Sequence, residues 1–199
     1  MSKEIKKLIL IAALWILLKI IEYYMPIFIA VLSWLGLSVI FLIITIVQLI
    51  NLIVERKSIR VIKTLFYGLI FYLTLNRFPV DNIIEKADWH ILYRKRMEIV
   101  EKVQNKELNP NVSWNGWICE LPFEFPIVSN GGNDIGIERN DSTQAVTIEF
   151  FISRGFLDNP SHYFIYTNDD KNIIYLDSII KYSEHSWKIK ENWYRIMKR

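Results

Sequence analysis

Cys119 is the single thiol of this chain, His90, His162 and His185 are its three imidazoles, and Arg154 is a lone cation among turn residues. A thiol nucleophile needs a base positioned to take its proton, and Ile118 and Glu120 beside Cys119 supply none locally. An idle, buried thiol is the simpler reading, and one cysteine permits no internal disulfide. The histidines share no paired spacing of the kind metal sites use, so no metal site is expected. Asn130-Gly131-Gly132-Asn133 has the glycines of a phosphate cradle without the Lys-Ser/Thr and following helix that bind phosphate, and it reads as a tight turn. Asn168, Asp169, Asp170 and Asn172 offer oxygens suited to Ca²⁺. Their spacing is not that of a calcium loop, and an acidic turn accounts for them. No set of residues asks for a cofactor.

Those residues all lie in the second part of the chain. The first 79 residues hold three apolar runs, Leu8 to Tyr24, Ile27 to Val54 and Val61 to Phe78, broken at Pro26 and at Glu55-Arg56-Lys57-Ser58. At about 1.5 Å per residue each run can cross a hydrocarbon core of about 30 Å. The sequence therefore predicts a multi-pass α-helical membrane anchor of three transmembrane helices over residues 1–79, followed by a small α+β domain with an antiparallel sheet over residues 80–199. The first run has a basic start, but Ile-Glu-Tyr-Tyr-Met-Pro after it offers no small-residue cleavage site, so it is expected to stay as an anchor. No cysteine stands near the N-terminus to carry a lipid.

Lys3, Lys6 and Lys7 precede the first run, and Arg56, Lys57, Arg60 and Lys63 surround the second break. Basic residues are retained on the cytoplasmic side, which predicts a cytoplasmic N-terminus and an extracytoplasmic C-terminal domain in the plasma membrane. Lys19, late in the first run, is expected to snorkel to the outer headgroups. Gln48 and Asn51 share one face of the second run, where side-chain amides commonly bond to a neighbouring helix. Of the 24 basic and 21 acidic residues, nine and three fall before Val80, leaving 15 and 18 beyond it. A mildly acidic domain excludes nucleic acid as its partner, because phosphate binding requires a concentrated basic surface.

Within the domain, Met97, Val100 and Val103 mark an amphipathic helix over Arg94 to Leu108. Ile84, Ala87 and Ile91 do not share its face, which predicts two helical pieces or a change of packing partner. Trp117 to Leu121, Ile127 to Ser129, Ile135 to Glu138, Ala145 to Ile152, Tyr163 to Thr167, Trp187 to Ile189 and Trp193 to Met197 read as strands. Asn140-Asp141-Ser142-Thr143 is the strongest hairpin turn. Ile173 to Tyr182 suits a strand or a short helix. One helix is expected to cover one face of the sheet. Trp89, Trp114, Trp117, Trp187 and Trp193 are expected to fill its core rather than to form a ligand platform.

Ser129-Asn130-Gly131-Gly132, Arg154-Gly155-Phe156-Leu157-Asp158-Asn159, Tyr166-Thr167-Asn168-Asp169-Asp170 and Glu191-Asn192-Trp193-Tyr194 follow one another along the domain. This succession resembles the C-terminal domain of a group of uncharacterised bacterial membrane-anchored proteins, over roughly Arg94 to Met197 and without the anchor. The resemblance implies a bacterial origin and a recurring small fold, and it transfers no catalytic residue. From the residues themselves, Gly155 suits a strand exit, Asp158 and Asn159 before Pro160 suit a turn, and Asn192 suits the start of the last strand.

The functional expectation is a protein anchored in the lipid bilayer whose external domain binds an envelope component or a secreted protein, in a sensor, accessory or immunity-type role. Its contact surface is expected at Arg154, Asp158, Asn159, Asp169 and Asp170, since recognition concentrates on loops of a rigid scaffold. The alternative is an envelope enzyme with a hydrolase-like site, which requires a histidine or a carboxylate pair gathered at Arg154. A transporter component is disfavoured by the absence of ionisable residues at mid-span.

Overall fold

The computed structural model describes residues 2–122, 124–130, 132–155 and 160–198. The chain divides into two compact units, Met1–Ala87 and Asp88–Arg199.

The first unit is helical: α1 (Lys3–Tyr24), α2 (Ile27–Glu55), α3 (Ser58–Leu75) and the opening turns of α4 (Phe78–Gln104). Ser2 caps α1 by accepting from the Ile5 N–H, and Pro26 sets the start of α2. Between α2 and α3, Arg56 takes a left-handed backbone conformation that ends the longer helix. Two helices, α2 and α3, are long and apolar enough to span a membrane, an indication of membrane association by length and composition alone. Of the three expected spans, α2 and α3 meet this measure of length and composition, and α1 does not. Helix α1 differs in its ionisable residues: besides the basic residues at its start it carries Lys19 and Glu22 in its second half.

Trp15, Phe41 and Ile70, one from each of the three helices, form the core of this unit. Thr74 ties it together: its hydroxyl accepts from Trp15 Nε1 at 3.0 Å, and its carbonyl accepts from Trp34 Nε1 at 2.8 Å. The amides of Gln48 and Asn51 were expected to bridge helices. Instead, Thr64 Oγ1 donates to the Gln48 backbone carbonyl at 3.2 Å.

The second unit is a six-stranded, wholly antiparallel sheet with a helix on each face. Its strands are β1 (Ile118–Glu120), β2 (Asp134–Arg139), β3 (Val146–Ser153), β4 (Ser161–Thr167), β5 (Trp187–Lys190) and β6 (Trp193–Lys198), in spatial order β1-β2-β3-β4-β6-β5. Alternation along the strands sends Phe150, Phe164, Tyr166 and Trp193 to one face. There they meet Trp89 of α4, whose ring centroid is 4.9 Å from Phe164 and 5.0 Å from Trp193. Ile165, Tyr194 and Ile196 point the other way and pack on Leu176 of α5 (Asp170–Tyr182). The open choice for residues 173–182 is thus a helix, and the expected single covering helix is corrected to two. Both faces of the central strands are apolar, so both require a cover.

Helix α4 is continuous where two pieces or a change of partner was expected. Its buried positions in the second unit are Asp88, Trp89, Leu92, Arg96, Ile99, Val100 and Val103. That is an uninterrupted helical stripe with an arginine in the middle, and the charge hides the period in the sequence. Ile127 to Ser129 forms no strand. These residues lie in a loop tied down by Ser129, Asn130 and Asn133. At the sheet edge, Asn111 takes the place of a further strand: its backbone N–H donates to Ile118 O, and its side chain bonds both the N–H and the carbonyl of Glu120.

Candidate functional site

Four of the acidic and amide residues singled out in the sequence meet at the N-terminus of α5. Asp169 is its N-cap: Oδ1 accepts from the Lys171 N–H at 3.0 Å and Oδ2 from Asn140 Nδ2 at 2.8 Å. Asn168 Oδ1 receives the Val146 N–H at 2.7 Å, and Asn172 Nδ2 donates to Thr147 Oγ1 at 2.8 Å. Thr147 and Thr167 face each other across β3 and β4 with their hydroxyls 2.7 Å apart. The Asn140 amide, with the Lys171 backbone N–H, holds the Asp169 carboxyl below the usual carboxylate range. These oxygens are occupied in pinning α5 to the β2–β3 hairpin. Asp170, one residue on, is exposed in the first helical turn.

Arg154 stands elsewhere. It follows the end of β3, whereas Asn168 bonds the beginning of that strand, so eight residues and roughly 25 Å of extended chain separate them. Its Nη2 pairs with Asp134 Oδ2 at 2.7 Å, and the guanidinium lies 4.1 Å from the Phe151 ring centroid. Asp158 and Asn159 lie outside the described residues. Glu191 sits in the turn between β5 and β6, whose Asn192 carbonyl accepts from the Thr167 N–H, placing it at the Asp169 end of the sheet. The sequence motifs thus mark two opposite ends of the fold.

Comparison with protein-family models, with curated proteins and with solved structures gives no match to this chain. Among the described residues, no group of three or more His, Cys, Asp or Glu side chains is gathered to hold a metal ion. Cys119 is fully buried on the sheet, and burial raises its thiol pKa, which suppresses the thiolate. His162 accepts at Nδ1 from Arg195 Nη2, 2.6 Å away, because a guanidinium can only donate. Burial first and the Arg195 charge second push the imidazole down to about 4, so it stays neutral. A shallow hollow of about 210 Å³ is lined by Trp89, His90, Tyr93 and Lys190, and the Lys190 ammonium occupies its aromatic wall, 4.8 Å from the Tyr93 ring centroid.

The sequence reading missed the outer side of α5. Ile174 is 71% exposed, Tyr175 58% and Tyr182 84%, with Lys171 and Lys181 between and beside them. Leu176 of the same helix is buried, so these residues are the side turned away from the sheet. The signal was available only once Ile173 to Tyr182 was known to be helical, since 174, 178 and 182 then fall in one row.

Proposed function

We propose that this chain is a plasma-membrane protein whose helices α1, α2 and α3 all span the bilayer, with a cytoplasmic N-terminus, and whose sheet domain lies on the external face and docks a protein of the cell envelope or a secreted protein. Sensor, accessory and immunity-type roles all use this one act of binding. The orientation is supported by the basic residues at Lys3, Lys6, Lys7, Arg56, Lys57, Arg60 and Lys63.

The observation that carries the binding reading is the outward side of α5. An isolated exposed Leu or Tyr is ordinary on a soluble surface, but Ile174, Tyr175 and Tyr182 stand on one short helix beside the exposed Asp170. Aromatic residues at the centre of a patch with a polar rim are the usual anchors of protein contacts. Asp169 and its amide partners serve the same surface by fixing the start of the helix, which makes them positioning residues.

A photo-reactive residue in place of Tyr175 tests this in intact cells. A discrete adduct is expected from position 175 and none from the exposed Glu107, and the adduct disappears when Ile174 and Tyr182 are replaced by Ser. An adduct of equal strength from both positions, or none from 175 under any growth condition, refutes the docking surface. Orientation is checked separately with Ser142→Cys in a Cys119→Ser background, which should react with a membrane-impermeant maleimide before lysis.

A further inference from the structure

Helix α1 is the least apolar of the three, yet it bears two fully buried charges. Lys19 is 1% exposed and Glu22 4% exposed, one turn apart, with Lys19 Nζ 2.8 Å from Glu22 Oε2. The other carboxylate oxygen, Oε1, lies 2.9 Å from Arg77 Nη2, just beyond α3, and Arg77 Nε lies 3.5 Å from Asp81 Oδ2. Glu22 therefore has one cation on each oxygen, one from its own helix and one from another. Near the opposite end of α1, Glu4 pairs with Lys63 of α3 at 2.6 Å. Trp15 fills the middle, against Phe41 and Ile70, with its indole N–H on Thr74.

We infer that Arg77 is the docking residue that makes α1 a conditional membrane span: α1 crosses only when it is seated on the α2–α3 hairpin with Glu22 paired to Arg77. The inference rests on the membrane reading of the helical unit. Helices α2 and α3 are long and apolar enough to cross a bilayer by length and composition. Helix α1 is not, because Lys19 and Glu22 must leave water with it, and ionisable groups within a span are tolerated where they face the bundle interior and are paired. The Lys19 pair within the helix neutralises the net charge but leaves the second carboxylate oxygen without a partner. Arg77 supplies that partner, and it is in place only after α2 and α3 have formed their hairpin. The sequence order is thus reversed in assembly: the last residue of the clasp admits the first helix.

The test uses the full chain in a Cys119→Ser background with Ser2→Cys or Met25→Cys, labelled by an impermeant maleimide on intact cells. With α1 across the membrane, position 25 is labelled and position 2 is not. Arg77→Gln should raise labelling at position 2 by about tenfold or more, the scale of leaving one member of a buried ion pair without its partner, with position 25 unchanged. In Lys19→Leu/Glu22→Leu, the same Arg77→Gln change should leave position 2 protected, because α1 then no longer needs a cation. Unchanged protection in Arg77→Gln overturns the inference, as does exposure of position 2 in both backgrounds, which would give Arg77 some role other than pairing Glu22. Alkaline carbonate extraction separates the two levels of the argument. A wild-type chain released from membranes sinks the membrane reading and this inference with it, whereas retained chains with unaltered sidedness sink the inference alone.

Discussion

The two units bury charge in different ways. In the sheet domain Arg96 is 2% exposed, and its partner Asp88 lies two turns back on the same helix. All three guanidinium nitrogens find acceptors: Nη2 reaches Asp88 Oδ2 at 2.6 Å, Nη1 the Asp88 carbonyl at 3.3 Å and Nε the Val128 carbonyl at 3.1 Å. Phe164 supplies a ring 4.8 Å away. In the helical unit the Lys19–Glu22 pair is completed only by Arg77, from outside its helix. A buried ion pair stabilises only when its remaining hydrogen-bonding positions are filled. One unit fills them within a single helix and the loop it holds, whereas the other sets the Arg77 guanidinium 2.9 Å from Glu22 Oε1 by docking one helix on others, an ion pair in which that oxygen accepts no hydrogen bond. The first arrangement resists separation into parts, and the second permits it.

The largest effect expected from this contrast is autonomy. A fragment from Asp81 to Arg199 keeps Asp88, Arg96, both covering helices and the whole sheet, so it should be soluble, melt cooperatively and give a near-UV circular dichroism signal from Trp89 and Trp193. A monomeric fragment without that signal breaks the comparison. Within such a fragment, Asp88→Asn leaves Arg96 buried and unpaired and should cost about 3–5 kcal/mol in urea unfolding. A loss below about 1 kcal/mol would mean that Val128 and Phe164 suffice to hold the guanidinium.

A smaller cost is expected at Gly136. A Cβ there would lie 2.3 Å from Trp117 Cζ3 and 3.3 Å from Glu149 Cβ, so Gly136→Ala must push the indole off the strand. Overpacking of this kind costs about 1–3 kcal/mol. A red-shifted Trp emission with an otherwise intact fold is the expected signature.

His162 sharpens the contrast through pH. It is neutral in the fold, with a pKa near 4 against 6.5 when unfolded. The unfolded chain then binds the extra proton first, so this contribution to stability is full above pH 6.5 and is lost as pH falls from there through about 4. His162→Gln should flatten the fall of the melting temperature over that window. An unchanged slope would assign the acid sensitivity to the carboxylates. The smallest effect belongs to Asp170→Ala, at most about 1 kcal/mol from the loss of a first-turn acid. Asp169→Ala should cost more, since it removes the cap and releases Asn140, and a reversal of that order would refute the division into cap and surface.

The strands were legible where local alternation and turn chemistry agreed. Asn140 to Thr143 was recognised as a hairpin turn because Asn140 Oδ1 satisfies the N–H groups of Ser142 and Thr143 without help from elsewhere. Residues 193–198 alternate toward two apolar faces, and their pairing with β4 follows that pattern. Ile127 to Ser129 has the composition of a strand, but its polar groups are taken by the side chains of Asn133 and Arg96 and by the Phe151 N–H, so it became a loop. Ile173 to Tyr182 was ambiguous because a buried helical row and a short apolar strand look alike in ten residues.

By itself, the sequence determined the features carried by neighbours in the chain: the apolar lengths of α2 and α3, the breaks at Pro26 and Arg56, the turns, and the order of helices before sheet. The tertiary structure decided the fate of the charges. Lys19 was expected to reach the headgroups and is enclosed; Arg96, in the middle of the α4 stripe, lies in the core; Arg154 and Asp169 were expected on one surface and stand at opposite ends of β3. The reason is energetic. An apolar residue is stabilised by leaving water whatever covers it, whereas a charge can leave water only where specific partners await it, and those partners here are Arg77, Asp88 and Val128, brought into place by the fold.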